Sequence, residues 1–439
     1  MLGIGFSPAL RRQRPTLVSV PPLYLAANLT RAAYAVDAIS AEGNSRRESR
    51  APFFLGGELT EIWLVYANWH LPLGNCAEVP TGNPVMLAAA LELEGVTVEA
   101  PNASRAAPRR MEDGETFLAG PFRASDFGLD RFRPVADPLG PAAHFARTSM
   151  WADVGQKLPR SGQYLSEAPA SRGHYSLAAT HVHLTGPLAG ANNGVAPSHI
   201  AVIGRPTPAA AANWRATLVI GDSVCEGQAD ASPYPAVARG GGYVARAHWN
   251  NGGRHLPLAQ LGRHGGKLAH YRAGGAARRS MAAFATHALL AFGANDLFVL
   301  ADANLASRQA ALKAAWLADL DAEIAALRGA GIRHIRVAHV GPRTTSSDQW
   351  ATSVNQSPQA NWQADFVASV NAEIVSRVLN GKANAIDAAF DVNAHWGEGG
   401  GNAKWLVNGA ANHPTGDGTH PNSALMASAG AGLAAAVAG

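Results

Sequence analysis

A change of pattern near residue 210 constrains the fold of this chain more than any other feature. From about 53 to 204 the apolar residues come in short runs of period two, as in Thr60-Glu61-Ile62-Trp63-Leu64-Val65-Tyr66-Ala67, with Gly, Pro and Asn between the runs. Side chains of a strand alternate between faces, so this pattern predicts strands, and regular short strands with turn signals predict a β-sandwich or jelly roll. After about 214 strand-like runs alternate with helical ones: strands at 217–220, 256–261, 287–292, 332–340 and 385–387, helices at 243–249, 303–328, 364–379 and 423–437. That order predicts a doubly wound parallel sheet covered on both faces. The expected organisation is therefore an N-terminal arm (1–50), a β-sandwich (51–204), a Pro/Ala linker (205–213) and an α/β domain (214–439).

Composition removes several functional classes. The formal charge of +4 invites a nucleic-acid reading, but Arg outnumbers Lys 31 to 5, and the two sides of residue 210 carry 18 basic with 17 acidic and 18 with 15 residues. Neither half has the charge imbalance of a phosphate-binding surface, so no nucleic-acid partner is expected. No apolar run reaches the roughly 18 residues of a spanning helix, and the opening MLGIGFSPALRRQR puts its apolar stretch before its Arg cluster, the reverse of a secretory signal. A soluble protein without membrane insertion or a Sec signal peptide is expected, cytoplasmic or associated with a virion or tail. Residues 1–50 show no periodicity and are expected to pack on a neighbour, a route to a homo-oligomer. Cys76 and Cys225 fall in different domains and form neither a disulfide framework nor a zinc cluster. His181 and His183 alternate on one strand, with no third ligand at metal spacing. Neither metal nor cofactor is expected.

Four short signals fall at or after the carboxyl ends of the α/β strands, where ligands of such sheets bind. Gly221-Asp222-Ser223 follows the first strand, and a Ser on the turn that leaves a strand presents its hydroxyl at the sheet edge. Gly262 ends the second, where a missing Cβ would let a backbone N–H approach a substrate oxygen. Gly293-Ala294-Asn295-Asp296 follows the third, placing an amide that can donate to a developing oxyanion. Asp417-Gly418-Thr419-His420 precedes the last helix, and its spacing lets Asp417 hold one imidazole nitrogen while the other faces Ser223. Each alone is an ordinary turn; together, in this order, they predict nucleophile (Ser223), base (His420), orienting carboxylate (Asp417) and an oxyanion hole built from Ser223, Gly262 and Asn295. Cys225 is a formal rival nucleophile, and Asp387 and Asp391 are weaker rivals to Asp417.

With these blocks the chain resembles the SGNH, or GDSL-type, hydrolases over about 217–422. Val224 replaces the Leu of the family's name, and Gln260 stands where members often have Asn. The resemblance implies a flavodoxin-like domain that cleaves esters through an acyl-enzyme without a cofactor. The long loops 342–362 and 391–416 carry Trp350, Trp362, Trp396 and Trp405, and aromatic faces in a polar cleft suit sugar rings. An acylated small molecule or glycan is therefore the expected partner, removal of O-acetyl groups from a carbohydrate the expected reaction, and Trp350, Trp396 and Trp405 the expected substrate contacts; short-chain lipid and aryl esters come next. The alternative is a structural or adhesive protein of a phage tail or other surface, whose esterase domain is an appendage or inactive.

Overall fold

The computed structural model describes residues 22–28, 30–40, 45–74, 76–135, 144–161, 174–178, 184–185, 197–230, 241–249, 254–299 and 303–438. His181 and His183 lie outside them. No helix among the described residues is long and apolar enough to cross a membrane.

The carboxy-terminal half is built on a parallel sheet whose strands run, in spatial order, Ala388–Phe390, His334–Ala338, His287–Ala291, Thr217–Gly221, Leu258–Gln260 and Thr30–Arg31. Leaving the last aside, this is the 2-1-3-4-5 order of doubly wound sheets, and the order reverses between Thr217–Gly221 and His287–Ala291. Both strands are buried on two sides, and the alternation of their side chains feeds two cores. Val219 and Leu289 join Tyr243, Val244, Met426 and Leu433 on one face. Leu218, Ile220 and Leu290 join Leu268, Leu320, Ile324 and Val370 on the other. The covering helices include Gly242–His248 with Ser423–Ala438, and Leu268–Gly274 with the 25-residue Leu305–Gly329. The final strand lies at Ala388–Phe390, just beyond the 385–387 expected, because Asp387 is spent on the N–H of Ile335 and on Arg328 at the strand's entrance.

Among the described residues the amino-terminal half forms two larger antiparallel sheets and two two-stranded ones. Of the larger, one runs Tyr24–Leu25, Ala201–Pro206, Leu59–Ala67, Thr116–Arg123; the other runs Val96–Glu99, Val85–Leu93, His144–Trp151, Arg46–Leu55, His174–Ala178. Ile62, Leu64 and Tyr66 of the first share a core with Phe53, Leu87, Ala89 and Leu91 of the second, and the Tyr66 hydroxyl meets Thr148 Oγ1 across it at 2.9 Å.

The described part of 1–50 is not a free arm: it packs on this chain. Tyr24–Leu25, Ala27–Asn28 and Thr30–Arg31 add to three different strands of this chain, Ala201–Pro206, Arg46–Leu55 and Leu258–Gln260. Nor is 205–213 extended linker: the strand Ala201–Pro206 runs into it, and Thr207 caps a helical turn at Pro208–Ala211. The two halves are tied by buried polar contacts. Arg278, fully buried, takes Glu78, the carbonyl of Cys76 and the carbonyl of Leu261. Arg263 Nε donates to Leu71 O at 2.8 Å, and Trp214 Nε1 to Leu25 O at 2.9 Å.

Candidate active site

The order reversal in the parallel sheet opens a crevice at the carboxyl ends of Thr217–Gly221 and His287–Ala291. Gly221 closes the first strand because any Cβ there would run into the carbonyl of Ala291. Asp222 then caps the single helical turn Ser223–Glu226, its Oδ1 accepting from Val224 N at 2.9 Å. Its Oδ2 accepts from Ala294 N at 3.2 Å, so one carboxylate joins the turn that bears Ser223 to the loop that bears Asn295. Burial pushes the Asp222 carboxyl up to about 6, against those two N–H bonds.

Ser223 and His420 are both buried, 2% and 7% exposed, and meet directly: His420 Nε2 lies 2.8 Å from Ser223 Oγ. His420 Nδ1 lies 2.6 Å from Asp417 Oδ2. The other oxygen of Asp417 accepts from the backbone of Thr419 and of His420, each at 2.8 Å, which folds the loop so that carboxylate and imidazole face each other three residues apart. Burial pushes the Asp417 carboxyl up, but the bonds from the His420 ring and from these N–H groups outweigh it and hold the group far below the usual carboxylate range. With Asp417 ionised, Nδ1 carries the proton and Nε2 is the acceptor that faces the hydroxyl.

The rivals stand elsewhere. Cys225 is fully buried, its thiol bonded to Asp222 O at 3.2 Å and packed under Gly221 and Gly262. Asp387 binds Arg328, and Asp391 binds His339 Nδ1 at 3.0 Å. Gln260, in place of Asn, donates to the carbonyls of Cys225 and Gly241 and so fixes the far end of the Ser223 turn.

The oxyanion donors need one correction. Leu261 N donates to Val219 O and Arg263 N to Gly221 O, continuing the parallel ladder past its last assigned residue. The residue between two such bonds points its own N–H to the opposite side, so Gly262 is aimed away from the Ser223 strand. Its missing Cβ serves packing instead, since one would collide with Cys225 Sγ. Three residues on, Gly265 takes a left-handed φ of 79°, and neither its N–H nor that of Ser223 donates to a described protein group. Asn295 reaches this loop, its Nδ2 donating to Gly266 O at 3.1 Å. The sequence signal for Gly265 was the Gly265-Gly266 pair itself.

Two further side chains border the site without having been singled out from the sequence. His264 stacks on His420, ring centroids 5.6 Å apart at 25°, while Glu226 Oε2 holds its backbone N–H at 2.6 Å. Arg343 donates to the carbonyl of Ala294 and lies over the rings of Phe298 (4.2 Å) and Trp362 (5.5 Å). Burial lowers its guanidinium to about 10, opposed by Asp222 and Asp417.

The tryptophans expected to bind substrate are mostly structural. Trp396 and Trp405 are 2% and 1% exposed and belong to the core beneath the site. Their indole N–H groups are used on Leu425 O (3.0 Å) and Gly418 O (3.2 Å). Neither can stack on a ligand; Trp405 instead braces the loop between Asp417 and His420. Trp362 is buried too. Trp350 is half-buried, bonds Thr344 Oγ1 at 2.8 Å, and packs so closely on Gly418 that a Cβ there would lie 2.8 Å from its ring.

No family model matches the chain, and no curated protein does. Among solved structures it is similar to a carbohydrate acetylesterase from Sinorhizobium meliloti at 14% identity, covering 51% of this chain and 98% of that one with a TM-score of 0.33. The aryl esterase of M. smegmatis gives the same four figures. A Bacillus subtilis protein determined by structural genomics covers 88% of this chain and 79% of its own, at 14% identity and a TM-score of 0.33. The strand-end blocks that first suggested it, now brought together around Ser223 and His420, give this chain its resemblance to the SGNH hydrolases.

Proposed function

We propose that this chain is a serine hydrolase of carboxylic esters, and the observation that carries the reading is the relay Asp417–His420–Ser223, closed at 2.6 and 2.8 Å. His420 Nε2 takes the Ser223 proton as Oγ attacks the ester carbonyl. The imidazolium that forms is stabilised by Asp417, already ionised and held by two N–H bonds. The oxyanion of the tetrahedral intermediate is met by the N–H groups of Ser223 and Gly265 and by Asn295 Nδ2, donors fixed before the reaction and therefore free of reorganisation cost. His420 returns the proton to the departing alcohol, and water, deprotonated by the same nitrogen, releases the acid. No step calls for a cofactor.

Turnover of p-nitrophenyl acetate and labelling by a fluorophosphonate test this directly. Both should vanish in Ser223→Ala with the circular dichroism unchanged. Labelling that survives in Ser223→Ala but is lost in Cys225→Ala would move the nucleophile.

For the alcohol, an acetylated sugar hydroxyl is the substrate we place first. Its support is narrower than the sequence suggested, since Trp350 alone of the three expected rings keeps some exposure. Acetate release from acetylated glycans, set against short aryl and lipid esters, decides it. An inactive appendage on an adhesive protein fits less well, because a relic has no reason to keep both relay bonds short.

A further inference from the structure

A cleft of about 360 Å³ lies not at Ser223 but at the other end of the same sheet. It opens at the amino ends of the strands, beside Thr217, His287 and His334, four residues or roughly 13 Å of strand from the catalytic edge. Its size falls at the lower end of small-ligand sites, about 300–1,000 Å³.

The lining is electrically lopsided. Arg215, Arg333 and Arg336 face one carboxylate, Asp387. That carboxylate is already committed, one oxygen accepting from Arg328 Nη2 and from Ile335 N, each at 2.6 Å. The rings of His287 and His334 stack on each other at 4.7 Å. Burial first, then His334 and the three arginines, push His287 down to about 3, so the cleft has excluded a further positive charge.

Capping of the last helix explains only part of this. Arg336 Nη2 donates to Ala436 O at 3.0 Å and Arg215 Nη1 to Val437 O, satisfying final carbonyls of Ser423–Ala438. Arg336 Nε remains buried with no acceptor among the described residues, and Arg333, exposed and capping nothing, makes no side-chain hydrogen bond or ion pair with one of them. A buried donor without an acceptor costs about 1–3 kcal/mol, and a cluster of guanidiniums is the usual receptor for oxyanions.

We propose that this cleft binds a small oxyanion, a carboxylate or phosphate group, at a site separate from the serine. Arg336 and Arg333 hold the anion, and the apolar floor formed by Ala288, Ala388 and Leu433 leaves room for an organic substituent.

Calorimetric titration of the full chain with inorganic phosphate, at ionic strength matched with chloride, tests this. Saturable one-to-one binding is expected, unchanged in Ser223→Ala, weakened about tenfold in Arg336→Ala and several-fold in Arg333→Ala. The second variant removes no side-chain contact of the fold and so separates lost binding from lost structure. Three results would each overturn the proposal: no saturation with the native chain, affinity retained in both arginine variants, or affinity lost in Ser223→Ala.

Discussion

Replacing Glu78 by Ala should destabilise the whole protein by about 4 kcal/mol, although Glu78 lies far in sequence from the catalytic residues. Its carboxylate accepts from Ala277 N and Arg278 N, each at 2.7 Å, and from Arg278 Nε at 3.2 Å. The Arg278 side chain is fully buried, and its other nitrogens reach only neutral carbonyls, Leu261 O at 3.4 Å and Cys76 O. Removing the carboxylate leaves a buried cation without its counter-charge, a loss of about 3–5 kcal/mol where such pairs have been broken. It also strips two N–H groups from the first turn of Ala276–Ser280, a cost that overlaps the first and is not added to it. Against a total stability of about 5–15 kcal/mol the change is large. Urea unfolding followed by tryptophan fluorescence reads it, and Glu78→Gln, which keeps one acceptor oxygen, should lose about half as much. Glu78→Ala within about 1 kcal/mol of the native chain, or equal to Glu78→Gln, would refute the reasoning. The same contacts predict that a fragment from residue 210 onward will be insoluble or inactive on p-nitrophenyl acetate. Such a fragment exposes Arg278 and uncovers the edge of Leu258–Gln260 that Thr30–Arg31 now occupies. Full activity in a folded fragment would show that the buried contacts between the halves are dispensable.

His420→Ala should reduce kcat on a soluble ester about as much as Ser223→Ala, and Asp417→Asn by less, since removing the orienting carboxylate of such triads costs less than removing the base; equal losses in all three would argue against these roles. Asp417 has its folded pKa depressed, so its contribution to stability is present above the ordinary carboxylate value near 3.8 and is lost as pH falls toward the folded one. Acid unfolding should therefore begin at higher pH in native protein than the depressed value alone implies only if other carboxylates intervene, and Asp417→Asn should show a shallower loss of stability below pH 4. Asp296 behaves in the opposite sense: burial pushes its carboxyl up to about 7, so stability falls as pH rises from about 4 through 7. Asp296→Asn, which keeps an acceptor for Leu268 N, should remove that slope and gain about 3 kcal/mol relative to native between pH 4.5 and 8; parallel stability curves from urea melts at the two pH values would count against it.

The parts of this fold that could be read from sequence are those whose signal is local. Buried parallel strands are apolar along their whole length, helices cover them at period 3.6, and the active-site loops follow strand ends, so Ser223, Asn295, Asp417 and His420 were placed by position alone. Arg46–Leu55 was missed because its first residues, Arg-Arg-Glu-Ser-Arg, look solvated. In the fold these charges find partners: Arg47 pairs with Asp37, Arg50 with Glu92 at 2.7 Å, and Arg50 also covers the Phe145 ring. The two-residue strands before Arg31 are too short for any period to show, and they are fixed only by the three strands they join. A tryptophan in a long loop carries no mark of whether its ring faces solvent or core, which is why Trp396 and Trp405 read as ligand platforms and prove to be core residues, Trp405 bonded to the loop between Asp417 and His420. Gly262 shows the sharpest limit. Its position at a strand end was legible, but the direction of its N–H depends on which neighbours continue the ladder. Leu261 and Arg263 both bond the Ser223 strand, so the alternation of a single strand turns the N–H of Gly262 away and leaves the next available donor to the left-handed turn at Gly265.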